Sequence, residues 1–162
     1  MWPERYLVDG YYDEKGQLRR EIIVEHAKQV ADMLAKRKLT SASMRRFYNK
    51  LLGIVHKFRM SGEFDRVRPQ IDELEMFAAQ AVKRKNNPAP MEFELFIQKN
   101  VELANKSEKG LLGFFQHFQS VVAFSPNMEG GNSRESGNSG ARNHGSQKHY
   151  GNKSMHSKNT SS

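Results

Sequence analysis

The 162-residue chain has no cysteine. That excludes a disulfide framework and a thiolate metal site, and fits a reducing interior. No apolar run approaches the roughly 18 residues of a membrane span. The opening MWPERYLVDG lacks the apolar core of a signal peptide. The expectation is a soluble, cytoplasmic protein with no membrane partner. Catalytic constellations are missing too. GLLGFF at 110–115 lacks the Lys-Ser/Thr ending of a phosphate loop. His26, His56 and His117 are isolated, and a lone helical histidine reads as a surface or half-buried residue, because a base needs a partner to orient it. No HExxH pair occurs. Asp65, Asp72, Glu73 and Glu75 read as solubilising charge near a helix start. These absences point away from an enzyme, and from any cofactor or metal.

What is present is positive charge, unevenly placed. The formal net charge is +8. Residues 1–35 carry −2, residues 36–85 carry +8, residues 86–126 carry −1 and residues 127–162 carry +3. A basic block between near-neutral flanks marks a binding surface better than a high overall pI does. Residues 127–162 form a second compositional zone of 36 residues, with six Gly, eight Ser and six Asn. So few apolar groups cannot offset the entropy of ordering the segment. It is predicted to be a disordered basic tail, either simply solvated or adding weak, salt-sensitive attraction to RNA. Its His144, His149 and His156 are poorly spaced for a metal.

Residues 1–126 read as one all-α domain, a compact five-helix bundle. DEKG at 13–16 is a turn. A first helix runs from about Leu18 to Lys36, with Ile23, Ala27, Val30, Ala31 and Leu34 on one face. A second spans about Leu39 to Phe58, with Thr40 or Ser41 as N-cap and Ser61-Gly62 as its stop. A third starts at Pro69, suited to a first helical position, and ends near Lys85, burying Ile71, Leu74, Phe77, Ala78, Ala81 and Val82. NNPAP at 86–90 is a break. A fourth helix covers about Met91 to Asn105, with Phe93, Phe96, Ile97, Val101 and Ala104 inward. Ser107 caps a fifth, with Leu111, Phe114, Phe115, Phe118 and Val122 in a stripe. No alternating run is long enough for a strand. Short connections make these helices antiparallel neighbours.

The second helix carries the strongest signal. Met44, Phe47, Leu51, Ile54, Val55 and Phe58 share one face. Arg46, Lys50 and Lys57 fall within roughly 40° of one another at about 100° per residue, and Arg45, Asn49 and His56 line up beside them. That face carries no acid. A merely solvated face mixes both signs, so an acid-free stripe suggests a polyanion, with nucleic acid first. Lys36, Arg37 and Lys38, like Lys83, Arg84 and Lys85, end helices, where the dipole favours cations without a ligand. Most aromatic residues fall on core faces. Tyr48, at the edge of the apolar stripe, is the best candidate for base stacking, and Tyr11 and Tyr12 either stack or pack.

LRREIIVEHAKQVADML at 18–34, LTSASMRRFYNKL at 39–51, RPQIDELEMFAAQAVKRK at 68–85, FELFIQKNVELA at 93–104 and FFQHFQSVVAF at 114–124 together resemble the small helical subunit of the type III-A CRISPR effector, the Csm complex. The resemblance covers about 12–125, and the T-S-x-S-M-R-R-F-Y-N cluster is its most specific part. It implies a non-catalytic subunit of an RNA-guided antiviral complex, present in several copies along a filament. Its implied partners are further copies of itself, the repeated guide-binding backbone subunits, the large signature subunit, and target RNA beside the guide RNA. On that reading Arg46, Lys50 and Lys57, helped by Arg45, Lys36, Arg37 and Arg84, line a channel along the target backbone. Without the resemblance, two alternatives stand: a helix-turn-helix DNA-binding regulator, and a pure protein scaffold whose basic stripe meets acidic protein.

Overall fold

The computed structural model describes residues 1–126, and it is helical in each of the five regions where the three- and four-residue apolar spacing predicts a helix. Residues 18–36 hold two segments, α1 (Arg20–Ile23) and α2 (Glu25–Lys36). Then come α3 (Ser41–Ser61), α4 (Phe64–Val82), α5 (Met91–Ala104) and α6 (Glu108–Phe124). Among the described residues the pairing outside helices is one isolated bridge, Tyr12 to Leu18, around the predicted DEKG turn. The tail expected at 127–162 lies outside the described residues.

Local chemistry sets most of the boundaries. The Thr40 side chain accepts a hydrogen bond from the Ser43 N–H, capping α3. Gly62 closes α3 in the left-handed conformation, at φ 68°. Ser107 caps α6 by accepting from the Gly110 N–H. Helix α4 corrects the expected start at Pro69, which lies inside it. The helix begins five residues earlier because Phe64 and Val67 extend its apolar face: Val67 is buried and the Phe64 ring meets Phe58 edge-on, with centroids 6.2 Å apart.

The first helix also departs from a simple periodic reading. It breaks at Val24, with φ −117° and ψ −75°. The break turns Ile22 into the core and leaves Ile23 exposed, the reverse of the expected face. In α4, Phe77 and Val82 are only half-buried, and in α6 it is Val121, not Val122, that is fully buried.

The chain folds around α6, which packs against α1, α2, α3 and α5, while α4 packs against α3 and α5. Helix α2 therefore docks mainly on α6 and not on α3, its neighbour in sequence. The core is aromatic: Phe47, Phe93, Phe96, Phe114 and Phe118 are all essentially without solvent exposure.

Two glycines allow the close approaches this needs. A Cβ on Gly110 would collide with the Leu103 carbonyl oxygen of α5, and one on Gly113 with the Tyr11 ring. The GLLGFF run is thus a packing device. Gly110→Ala forces α5 and α6 apart and is expected to lower the unfolding free energy by about 3 kcal/mol, because backbone cannot yield as a flexible side chain does. Urea denaturation checks this.

The first nineteen residues are tied down by their own buried groups. Tyr6, Leu7 and Tyr11 are in the core. Tyr11 Oη donates to Asn100 Oδ1 at 2.7 Å, and Asn100 Nδ2 donates to Tyr6 Oη at 3.1 Å and to the Phe96 carbonyl at 2.8 Å. Tyr6 Oη lies 2.6 Å from His117 Nε2, and His117 Nδ1 lies 2.7 Å from the Ile22 carbonyl. Since a carbonyl only accepts, Nδ1 carries the proton and Nε2 accepts from Tyr6. A side chain meeting the backbone ladder is a recognised cause of a helix break, and Ile22 lies two residues before the break at Val24. Tyr11 therefore packs, while Tyr12 is half-buried and donates to the Lys109 carbonyl.

Candidate nucleic-acid interface

Helix α3 turns its apolar face inward along its whole length. Met44, Phe47, Leu51, Ile54, Val55 and Phe58 are buried. The opposite face must then meet solvent. Arg45, Arg46, Asn49, His56 and Lys57 are exposed, and Lys50 is half-buried. Arg46 to Lys57 spans eleven residues, about 16 Å of helix.

The stripe splits around that face. Lys50 and Lys57 lean over a groove shared with α4, lined also by Asn49, Gly53, Gln70, Glu73 and Phe77. Lys50 Nζ sits 4.0 Å from the centroid of the Phe77 ring, a cation–π contact. Lys57 Nζ lies 3.5 Å from Gln70 Oε1. These two pairs fix an antiparallel register between α3 and α4, and Arg84 is exposed just past the end of α4. Arg45, by helical rotation, lies on the flank with His56. Arg59, which the sequence reading passed over, extends that flank; its guanidinium is 5.9 Å from the Phe115 ring. Its position seven residues from Leu52 and three from His56 was a signal available in the spacing.

Ion pairing separates the basic residues. On α4, Arg66 pairs with Glu63, and Arg68 with Asp65 at 3.4 Å. Arg37, at the end of α2, lies 3.0 Å from Glu92 at the start of α5. That bridge draws Arg37 toward a structural role joining two helix ends. Within the described residues, Arg46, Lys50 and Lys57 make no ion pair, and neither do Lys36 and Arg84, both exposed. The acid-free stripe of α3 does gain one neighbour that α3 alone does not reveal, since Glu73 of α4 lines the same groove.

Tyr48 is not open for stacking. Its ring lies parallel to Phe115, with centroids 5.9 Å apart, and is tilted against Phe118. His117 is fully buried and hydrogen-bonded at both nitrogens, where a surface or half-buried residue was expected. Burial pulls its pKa down to about 4, opposed by its bond to the Ile22 carbonyl. Burial pushes the Tyr6 and Tyr11 hydroxyls far upward. All three belong to the closed internal network. Among the described residues no group of His, Asp and Glu is arranged to hold a metal, and no helix is long and apolar enough to cross a membrane.

A family model described as Csm2 Type III-A matches residues 17–130. No curated protein and no solved structure gave a match.

Proposed function

The chain belongs to the type III-A Csm2 family, subunits of the CRISPR Csm complex, and on that premise we propose that it is a non-catalytic, cytoplasmic small subunit holding target RNA by its backbone. The observation that carries this reading is the outward face of α3, where among the described residues Arg46, Lys50 and Lys57 make no ion pair while the arginines of α4 do. Phosphates compensate such a surface, and each contact releases counterion. Guide–target pairing reads the sequence, so this subunit needs only charge and shape. Arg45, Lys36 and Arg84 extend the basic surface, and Arg37 contributes less because of Glu92. Copies repeat along a filament beside the guide, touching one another, the guide-binding backbone subunits and the large signature subunit. Repetition raises the effective concentration of each next contact, so one weak site suffices per subunit. A DNA-reading helix is disfavoured by the first turn of α3: Ser43 is buried, and the Thr40 hydroxyl is taken up by the cap.

Arg46→Glu with Lys57→Glu tests the proposal, since both side chains are exposed and their loss leaves the core intact. In the assembled complex, target RNA affinity is expected to fall by about 100-fold or more at low salt, and the slope of log affinity against log salt to become shallower by about 1.4 for each copy present, from about 0.7 per lost contact. Unchanged affinity in an intact complex rejects the proposal. Failure of assembly instead identifies the stripe as a protein-binding scaffold surface.

A further inference from the structure

The α3–α4 groove contains groups that a phosphate backbone does not need. Phe77 lines it as a half-buried ring, with the Lys50 ammonium 4.0 Å from its centroid. Gly53 faces it from α3, exposed in mid-helix, and a Cβ there would meet nothing within 4 Å. Glycine at such a position lowers helix stability, with no packing reason among the described residues. It leaves the groove open beside Phe77. Gln70 and Glu73 stand on the same wall. A carboxylate there repels phosphate but accepts hydrogen bonds from the N–H groups of a base, and the Gln70 amide both donates and accepts.

We propose that this groove takes one unpaired nucleobase of single-stranded RNA, stacked on Phe77. Lys50 then swings from the ring to the adjoining phosphate, and Lys57 holds the next one. A charged track with an aromatic platform is the general design for single strands. Tyr48 cannot serve, because Phe115 lies against it. The proposal rests on the RNA-backbone reading above and adds a base to it.

The full chain is titrated at low salt with a single-stranded RNA and with an abasic ribose-phosphate oligomer of equal length and charge. The base-bearing strand is expected to bind about tenfold tighter, the effect of one stacked base. Phe77→Leu and Gly53→Leu are each expected to remove that preference and leave abasic binding unchanged. Gly53→Leu fills open space on an exposed helix face, so it keeps the test valid should Phe77→Leu disturb the fold. Equal wild-type affinity for the two strands, or a preference that survives both substitutions, overturns the base site and leaves the electrostatic reading standing. Absence of binding to either strand at low salt and saturating RNA overturns the base site, while the electrostatic reading stands or falls on the charge-reversal variant in the assembled complex.

Discussion

Phe96→Ala is expected to lower the unfolding free energy by about 4 kcal/mol, well within the range for loss of a buried aromatic ring. Phe96 has no solvent exposure. Its ring meets Phe118 at 5.2 Å, His117 at 6.0 Å, and Phe93 and Phe114 at 6.2 Å between centroids. Phe93 in turn meets Phe47 of α3 edge-on at 4.9 Å. The ring thus connects α5 to α6 and, through Phe93, to α3. Flat, stiff neighbours collapse poorly into the space left by a deleted ring, so the cavity penalty stays close to its full value. Edge-to-face and stacked contacts add about 0.5–1.5 kcal/mol beyond burial. The check is urea denaturation at neutral pH with the m-value held as a control. A loss below about 2 kcal/mol, with m unchanged, contradicts the view of Phe96 as the hub of the core.

That core was legible in the sequence because it is written locally. Phe93, Phe96, Ile97 and Val101 recur at helical spacing, and they are buried. The same holds for the buried face of α3, for the Thr40 and Ser107 caps and for the Gly62 stop. The basic stripe was legible for the same reason, since Arg46, Lys50 and Lys57 lie on one helix. What helical spacing cannot carry is the neighbour. The Arg37–Glu92 bridge, the Lys50–Phe77 contact and Glu73 beside the stripe each need α4 or α5 to be placed first. Ile22 was exchanged with Ile23 because one irregular residue, Val24, resets the phase of the helix. Gly110 and Gly113 carried no reading beyond the missing phosphate-loop ending, and only the positions of Leu103 and Tyr11 explain them. His117 looked isolated because its partners, Tyr6 and Ile22, are 111 and 95 residues away.

His117→Ala is expected to cost about 4 kcal/mol or more at pH 7, through two orphaned groups and a cavity. The Tyr6 hydroxyl loses its acceptor and the Ile22 carbonyl its donor, each at about 1–3 kcal/mol when buried. Tyr6 keeps the donor bond from Asn100, so it is not stripped entirely. The wild-type protein carries a matching sensitivity to acid. Burial lowers the His117 pKa from 6.5 to about 4, so the folded state holds the imidazole neutral where the unfolded chain protonates it. The unfolded state then binds more protons across that interval, and stability falls as pH drops. The stability from His117 is complete above about pH 6.5 and is lost progressively toward pH 4, by about 3 kcal/mol at about 1.36 kcal/mol per unit. His26 is also shifted downward, by burial first and Arg19 second, and it adds acid sensitivity of the same sign. The difference between the wild-type and His117→Ala curves isolates His117 from that background. The two curves are therefore expected to converge as pH falls from about 6.5 to about 4, followed by urea midpoints at each pH. Parallel curves would mean that His117 is protonated or solvated in the folded state, which the closed Tyr6–His117–Ile22 chain of bonds does not allow.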